Sequence, residues 1–264
     1  MALMHFSKPD DSGSACHVCL SREKLTREHV PPQAAFNRQD KLADSILLPG
    51  KGRMMPIRRK LRGGLWVESL CERCNTLVCA PYAEQYVAFA KWLESAPRLF
   101  GPQRGARYFR VQGDTLLLAK EIATMILAIE PITYSVHNKE LRHFVHNREA
   151  VVEPPFRVLA FLVKPVKEAG TVVRFHSRVS SFIPGWGFTG GEISWYPFGF
   201  VYASEIERGY EPERLTDITH WFREGDPTRR RDTWVSLYTR VTGVDGLGGM
   251  SGWPRRRPQI DQLG

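Results

Sequence analysis

The sequence predicts an α+β protein in which a strand–loop–strand–helix unit is followed by a larger part with an antiparallel sheet. Three observations predict this fold. Two short strand-type runs each lie beside a Cys-x-x-Cys pair in the first third of the chain. Apolar residues at helical spacing follow the second run, and several stretches rich in β-branched and aromatic residues come later, which is typical of strands. Segregated strands and helices favour α+β over alternating βαβ units.

The first unit begins with a short strand at residues 25–30. Pro31 and Pro32 end it, because proline has no N–H to donate to a strand ladder. A second strand is predicted at 65–70. The segment between them, 33–64, is long, basic and interrupted by Gly and Pro, and it is predicted as a loop with up to one helical turn.

A helix is predicted directly after the second strand and its cysteines. Pro81 suits the first turn of this helix, since its missing N–H is not needed there. The apolar residues that recur at i, i+4, i+7, i+8 and i+11 are Tyr82, Tyr86, Phe89, Ala90 and Leu93. The helix is expected to end before Pro97.

Gly and Pro at 100–105 predict a boundary between two domains. The chain then divides into a polar tail, a first domain, a second α+β domain and a basic tail, at 1–13, 14–100, 106–245 and 246–264. The second domain is predicted to contain helices at 115–130 and 138–147, and strands at 156–163, 171–177, 193–202 and 233–241.

The charge balance favours a polyanionic partner. The 264 residues include 37 Lys and Arg against 28 Asp and Glu, a net charge of +9, and cations that neutralise phosphates are the main sequence-independent source of nucleic-acid affinity. No apolar run approaches the ~18 residues of a membrane helix, so no membrane partner is expected. Residues 1–13 lack the apolar core of a signal peptide, and a cytoplasmic location is therefore expected.

Four of the five cysteines form two Cys-x-x-Cys pairs, at Cys16 with Cys19 and at Cys71 with Cys74. Each such pair is a tight turn with two thiolates, and two pairs supply the four ligands of one tetrahedral zinc ion. A structural zinc also suits a reducing compartment better than a disulfide framework does. The fifth, Cys79, is predicted to be a small buried residue.

Together, three short motifs resemble the HNH endonucleases, which are ββα-metal nucleases. They are C-H-V-C at 16–19, T-R-E-H-V-P-P at 26–32 and C-E-R-C-N at 71–75. The combination is more specific than either cysteine pair alone. The resemblance implies a zinc-stabilised ββα domain in which zinc is scaffolding and a second, harder metal ion takes part in the reaction.

The resemblance also implies a role for each polar residue between the cysteines. His29 is the expected general base, because an imidazole titrates near the working pH. Glu28 and Asn75 are the expected ligands of a catalytic Mg²⁺ or Mn²⁺, since hard cations prefer oxygen donors. Such an ion stabilises charge on the scissile phosphate and on the leaving oxygen.

The sequence departs from the usual HNH pattern at three places. The Asn that these nucleases carry five residues before the third cysteine is replaced by Trp66. Glu28 stands where Asp is common and is longer by one methylene. The Lys that often follows the final C-x-x-C-N step is absent. The zinc ligands are not affected by these differences.

The function expected from these features is metal-dependent hydrolysis of phosphodiester bonds, with DNA as the favoured substrate. The cations expected to contact phosphates are Arg27, Arg58, Arg59, Lys60, Arg62 and Arg73. One alternative is a zinc-stabilised nucleic-acid-binding module without catalysis. A further alternative is a protein-interaction adaptor, and the oligomeric state is left open.

Overall fold

The computed structural model describes residues 15–37, 41–47, 54–61, 63–96, 98, 105–163, 166–167, 173–174, 178–180, 188–206 and 215–240. Its strands are β1 (Leu25–His29), β2 (Lys41–Leu47), β3 (Met54–Leu61), β4 (Trp66–Cys71), β5 (Ala106–Arg110), β6 (Arg157–Val163), β7 (Val166–Lys167), β8 (Val173–Arg174), β9 (Arg178–Ser180), β10 (Phe188–Trp195), β11 (Phe198–Ile206), β12 (Thr216–Asp217) and β13 (Trp234–Arg240). Its helices are α1 (Ala80–Glu94), α2 (Thr115–Ile129), α3 (Ile132–His137), α4 (Lys139–His146) and α5 (Pro227–Arg231), with a π-helical turn at Cys74–Val78 and a 3-10 turn at Thr219–Phe222.

A seven-stranded sheet forms the larger part of the molecule. Its order is β5-β13-β6-β11-β10-β9, and β12 pairs with β6 beside this path. All of its pairings are antiparallel except the short contact of β13 with β6, which is parallel. A separate antiparallel hairpin joins β1 to β4. The predicted α+β class with an antiparallel sheet is thus confirmed.

The predicted strands and helix of the first unit are confirmed. β1 and β4 lie within one residue of the predicted bounds, and α1 follows them with Pro81 in its first turn. The five residues predicted to form its apolar stripe are all buried. A 3.6-residue period therefore identified the face of α1 that packs into the core.

The prediction of a loop over 33–64 is wrong, because it contains an antiparallel hairpin of β2 and β3. The sequence carries a signal for this hairpin in the P-G-K-G run at 49–52. Gly and Pro between two strand-forming runs mark a hairpin as readily as a loop, and the basic composition of the second run concealed it.

The stretch at 193–202, predicted as one strand, is divided between β10 and β11. The chain turns at Tyr196 and Pro197, because a proline at that place removes a ladder N–H. The helices predicted at 115–130 and 138–147 are confirmed as α2 and α4. The tails predicted at 1–13 and 246–264 lie outside the described residues.

Helix α2 lies at the centre of the core. Every residue in it except Leu117 is buried, so the helix has packing neighbours on nearly every side. Asp114 caps its first turn by accepting hydrogen bonds from the N–H groups of Leu116 and Leu117. One continuous cluster of buried residues includes four of the five cysteines, all except Cys19, together with residues of α1, α2 and the sheet. The predicted division into two domains stays a prediction.

None of the described helices is long and apolar enough to cross a membrane.

Candidate metal centre and active site

The four cysteines come from three places in the fold. Cys16 and Cys19 lie in the turn before β1, where the Cys16 N–H donates to Ser21 O and the Leu20 N–H donates to Cys16 O, both at 2.8 Å. Cys71 ends β4, and Cys74 begins the π-helical turn. Pairing of β1 with β4 places Leu25 opposite Cys71, which brings the two cysteine pairs together.

The geometry of the cluster fits a tetrahedral zinc ion. All four Sγ atoms lie within 4.8 Å of one another, and Sγ of Cys19 is 3.7 Å from Sγ of Cys71. Four sulfurs at the usual Zn–S distance of about 2.3 Å are about 3.8 Å apart. Among the described residues, this is the one group of three or more His, Cys, Asp or Glu side chains close enough to share an ion.

The surroundings of Cys16 favour its thiolate form. A hydrogen bond from the Cys74 thiol, helped by backbone N–H groups of the turn, lowers the pKa of Cys16 against the opposing effect of burial. The pKa of Cys74 is raised, first by that same hydrogen bond and then by burial. The four thiols are closely packed, and a divalent cation would stabilise all four as thiolates.

Cys79 does not belong to this cluster. Its side chain is buried next to Thr124, with Oγ1 of Thr124 at 3.9 Å from its Sγ. Burial raises its pKa well above the ordinary value. As predicted, Cys79 is a small core residue.

The first cysteine turn is linked to the helices behind it. The buried ring of His17 makes a 2.6 Å hydrogen bond through Nδ1 to the carbonyl of Leu127 on α2. The His17 N–H donates to Ser69 O on β4 at 2.8 Å, and the guanidinium of Arg142 on α4 reaches Val18 O at 3.5 Å. A metal bound by the cysteines would therefore stabilise the contact between the hairpin and the helices.

Glu28 and His29 occupy the last two positions of β1. The strand pairs Glu28 with Val67 and His29 with Trp66. Successive side chains of a strand point to opposite faces. Glu28 is 9 % exposed and Val67 is 2 % exposed, so this pair faces the interior, and the half-buried His29 lies on the outer side.

Burial moves the pKa values of these two residues in opposite directions. It raises the pKa of Glu28 to about 7. It lowers the pKa of His29, with a smaller contribution from the charge of Arg27 and an opposing one from a hydrogen bond with the Gly63 backbone. Desolvation disfavours the charged form in both cases. At pH 7 the imidazole is therefore neutral and able to accept a proton.

Asn75 lies against β1 from the π-helical turn. Its Nδ2 donates to Oγ1 of Thr26 at 2.9 Å and to the carbonyl of Arg27 at 3.2 Å. Arg27 immediately precedes Glu28, so the amide lies against the backbone just before the two strand-end residues. No described residue donates a hydrogen bond to Oδ1 of Asn75 or to the carboxylate of Glu28. Both are hard oxygen donors of the kind that Mg²⁺ and Mn²⁺ bind.

Asn37 is a site residue that the sequence did not reveal. It is fully buried, its Nδ2 donates to Pro31 O at 2.7 Å and Leu65 O at 2.8 Å, and the Leu65 N–H donates to its Oδ1 at 2.8 Å. Gly64 permits this approach, because a Cβ there would meet the Asn37 carbonyl at 2.0 Å. The segment after His29 is thereby joined to the residue before Trp66.

Glu121 of α2 was also not predicted. It is 1 % exposed, and neither carboxylate oxygen has a hydrogen-bond partner among the residues that the structure describes. Burial raises its pKa well above the ordinary value, and the negative charge of Glu28 raises it further. The signal for it was a Lys-Glu step, at 120 and 121, inside an otherwise apolar helix.

Of the predicted phosphate-binding cations, two have described side chains. Arg27 places its guanidinium 4.3 Å from the centre of the Trp66 ring and 3.8 Å from Glu68. Arg73 is exposed. The side chains of Arg58, Arg59 and Lys60 on β3, and the whole of Arg62, lie outside the described residues.

Comparisons of this chain with protein-family models, with curated proteins and with solved structures found no match. The four-cysteine cluster is compatible with a structural metal such as zinc, and this is what the geometry establishes.

Proposed function

We propose that this protein is a metal-dependent endonuclease of the HNH type that hydrolyses phosphodiester bonds, with DNA as the favoured substrate. One observation carries the proposal: the amide of Asn75 is hydrogen-bonded to β1 one residue before Glu28 and His29. The backbone positions of a base and two oxygen donors are therefore close in the fold, at the end of a hairpin that also carries part of the four-cysteine cluster. Glu28 faces the interior and His29 the outer side of this hairpin.

Each residue has a distinct part in the proposed reaction. His29 takes the proton from the attacking water, for which its lowered pKa keeps it neutral at pH 7. Glu28 and Asn75 would hold the divalent ion, which supplies positive charge to the scissile phosphate and the leaving oxygen. Arg27 and Arg73, both exposed, contribute positive charge for the flanking phosphates.

Asn37 supports this geometry. In the HNH endonucleases that the sequence resembles, an Asn at the position of Trp66 would hold the loop that follows the catalytic strand. Here the three hydrogen bonds of Asn37 join Pro31 to Leu65, directly before Trp66. We infer that Asn37 performs the same task from the opposite side of the loop and that Trp66 need not impair catalysis.

Nicking of supercoiled plasmid tests the proposal. With Mg²⁺ or Mn²⁺ the parent should convert plasmid to the open circle, and without an added divalent ion it should not. His29→Ala should reduce the rate on the order of a hundredfold to ten-thousandfold, the usual effect of losing a general base. Its affinity for DNA should change little, since phosphate contacts by Lys and Arg set it.

A matched control is His143→Ala, which removes an exposed histidine of α4 and should leave the rate unchanged. Zinc content and melting temperature of both variants should equal those of the parent. If His29→Ala cuts at the parental rate, His29 is not the base. If it loses its fold, the role of His29 is structural.

A second candidate is a nucleic-acid-binding module without catalysis. The observation that favours it is the raised pKa of Glu28, about 7, because a protonated carboxyl group is a poor metal ligand. A parent that binds DNA but does not cut it with any divalent ion would establish this second function.

A further inference from the structure

Two exposed aromatic side chains lie against each other on the large sheet, far along the chain from the cysteines. Tyr108 of β5 is 70 % exposed and Trp234 of β13 is 56 % exposed. Their rings are stacked, with centroids 5.1 Å apart and planes 15° from parallel. The two rings thus present a broad apolar surface to solvent.

The register of β5 and β13 places an arginine beside these rings. Trp234 is directly opposite Arg110, and Ser236 is opposite Tyr108. Side chains two apart on a strand, and directly opposite across an antiparallel pair, share a face. Tyr108, Arg110 and Trp234 therefore form one outer surface, which we call the aromatic patch, while Phe109 between them is buried on the other face.

A cleft of about 490 Å³ adjoins the aromatic patch, and Arg110 belongs to both. Arg148 and Arg231 also line the cleft, against a single aspartate, Asp114. The carboxylate of Asp114 is already used as the cap of α2 and lies 3.4 Å from Arg230. Arg110 forms an exposed ion pair with Asp232. The cleft is therefore a positively charged one.

We propose that the aromatic patch and the adjoining cleft bind a single-stranded segment of nucleic acid. The proposal rests on the proposed function, since it describes a second contact with the same substrate. An unpaired base would stack on the outer face of Tyr108 or Trp234, and its phosphate would lie at Arg110, Arg148 and Arg231. Surfaces that combine exposed aromatic rings with a basic groove bind single strands with little regard to sequence.

The occupant follows from the chemistry of the surface. In a duplex both faces of each base are already stacked, so a flat aromatic surface gains little from it. An unpaired base has a free π-face, and stacking on it replaces contact with water. Positive charge at the cleft selects a polyanion, whereas a second copy of this chain, itself strongly basic, would be repelled.

The test compares two labelled DNA substrates of equal length, an oligothymidine and a duplex, by fluorescence anisotropy. It uses the full-length His29→Ala chain without added divalent ion, so that cleavage does not interfere. The double variant Tyr108→Ala, Trp234→Ala should lose roughly tenfold or more in affinity for the oligothymidine, as expected when a stacked base loses its platform. Its affinity for the duplex should stay within about twofold of the parent.

The contribution of the cleft arginines is measured separately, by the salt dependence of the affinity for the oligothymidine. Removing one cation that neutralises a phosphate of a single strand reduces the dependence of log affinity on log salt by about 0.7. Arg148→Gln with Arg231→Gln should therefore lower this slope by about 1.4. Trp234→Phe should retain most of the affinity, because it keeps a stacking ring, and Val136→Ala, an exposed apolar residue elsewhere, should change nothing.

Three results would overturn the proposal. The first is unchanged oligothymidine affinity in the aromatic double variant with a normal melting temperature. The second is an equal loss for oligothymidine and duplex. The third is a parent that sediments as a dimer while the double variant is a monomer, which would make the patch a self-association surface. A parent that never cuts DNA but shows the expected binding pattern would remove the proposed nuclease activity and leave this inference standing.

Discussion

Hydrogen bonds of buried polar groups fix the chain around the hairpin of β1 and β4, whereas apolar packing stabilises the region around α2. The buried side chain of Asn37 is linked by directional hydrogen bonds to backbone groups of Pro31 and Leu65. Around α2, side chains such as Ile122 and Met125 are fully buried. Directional bonds fix geometry, while burial supplies most of the free energy of folding. The hairpin is thus built for a defined arrangement of residues, and α2 supplies stability.

Removal of the metal should have the largest effect of any single change. A structural zinc contributes on the order of 10–16 kcal/mol of apparent binding free energy in small domains. Cys71→Ser should therefore abolish zinc binding and unfold the segment around β1 and β4. Metal analysis should give about one zinc per parent chain and almost none for the variant.

Cys79→Ser is the matched control for Cys71→Ser. Cys79 is buried beside Thr124 and is not one of the clustered cysteines. The zinc content of the Cys79→Ser variant should equal that of the parent. Loss of zinc in Cys79→Ser equal to that in Cys71→Ser would show that the ligand assignment is wrong.

A cavity in α2 should lower the free energy of unfolding without affecting zinc. Ile122 is fully buried, and truncation of such a residue to Ala costs about 2–5 kcal/mol. Urea unfolding of Ile122→Ala should show this loss, with zinc still bound in the folded protein. Val136→Ala, on an exposed position, should change the unfolding free energy by about 0.5 kcal/mol or less. Zinc loss in folded Ile122→Ala would mean that the two regions are not separable in this way.

The sequence predicted the elements whose periodicity is strong and missed contacts that only the folded chain creates. The stripe on α1 and the cysteine spacing are local patterns, and both correspond to the structure. Asn37 gives no local signal, because its role depends on Leu65 lying next to it. The β2 and β3 hairpin was missed since turn residues at 49–52 are also typical of loops.

Buried charge was equally hard to foresee. Lys120 and Glu121 interrupt an apolar helix, and helical periodicity alone does not say whether such residues reach the surface. In the structure, Lys120 donates to the carbonyls of Phe144, Asn147 and Ala150 and so caps the end of α4. Glu121 instead faces the hairpin side, where Glu28 influences its pKa. Tertiary packing, absent from a linear pattern, decided both outcomes.

Asn37 should prove to be a directional support, not merely a space-filling residue. Asn37→Ala leaves the Leu65 N–H without its side-chain acceptor, and a buried unsatisfied group costs about 1–3 kcal/mol. Hydrogen exchange at 63–67 should speed up accordingly. Asn37→Asp has nearly the same shape but presents an acceptor to the carbonyls of Pro31 and Leu65, so it should be at least as damaging. A neutral Asn37→Asp would show that only shape matters at this position.

Metal binding at Glu28 should depend on pH. Because burial raises its pKa from 4.5 to about 7, the protonated form is favoured in the folded chain. The contribution of Glu28 to the free energy of unfolding is at its full value below about pH 4.5. It is lost as the pH rises to about 7, a difference of about 3 kcal/mol. A divalent ion that displaces this proton should bind about tenfold more tightly per pH unit up to pH 7 and show no further gain above it.

Titration calorimetry with Mn²⁺ from pH 6 to 8.5 measures this slope. Glu28→Gln should abolish it, since an amide has no proton to release, and should also weaken binding at pH 8. His29→Ala should retain the slope, because the proton that the ion displaces belongs to Glu28. A parent whose Mn²⁺ affinity is independent of pH would show that the ion does not bind at Glu28. An equal slope in Glu28→Gln would assign the released proton to another group.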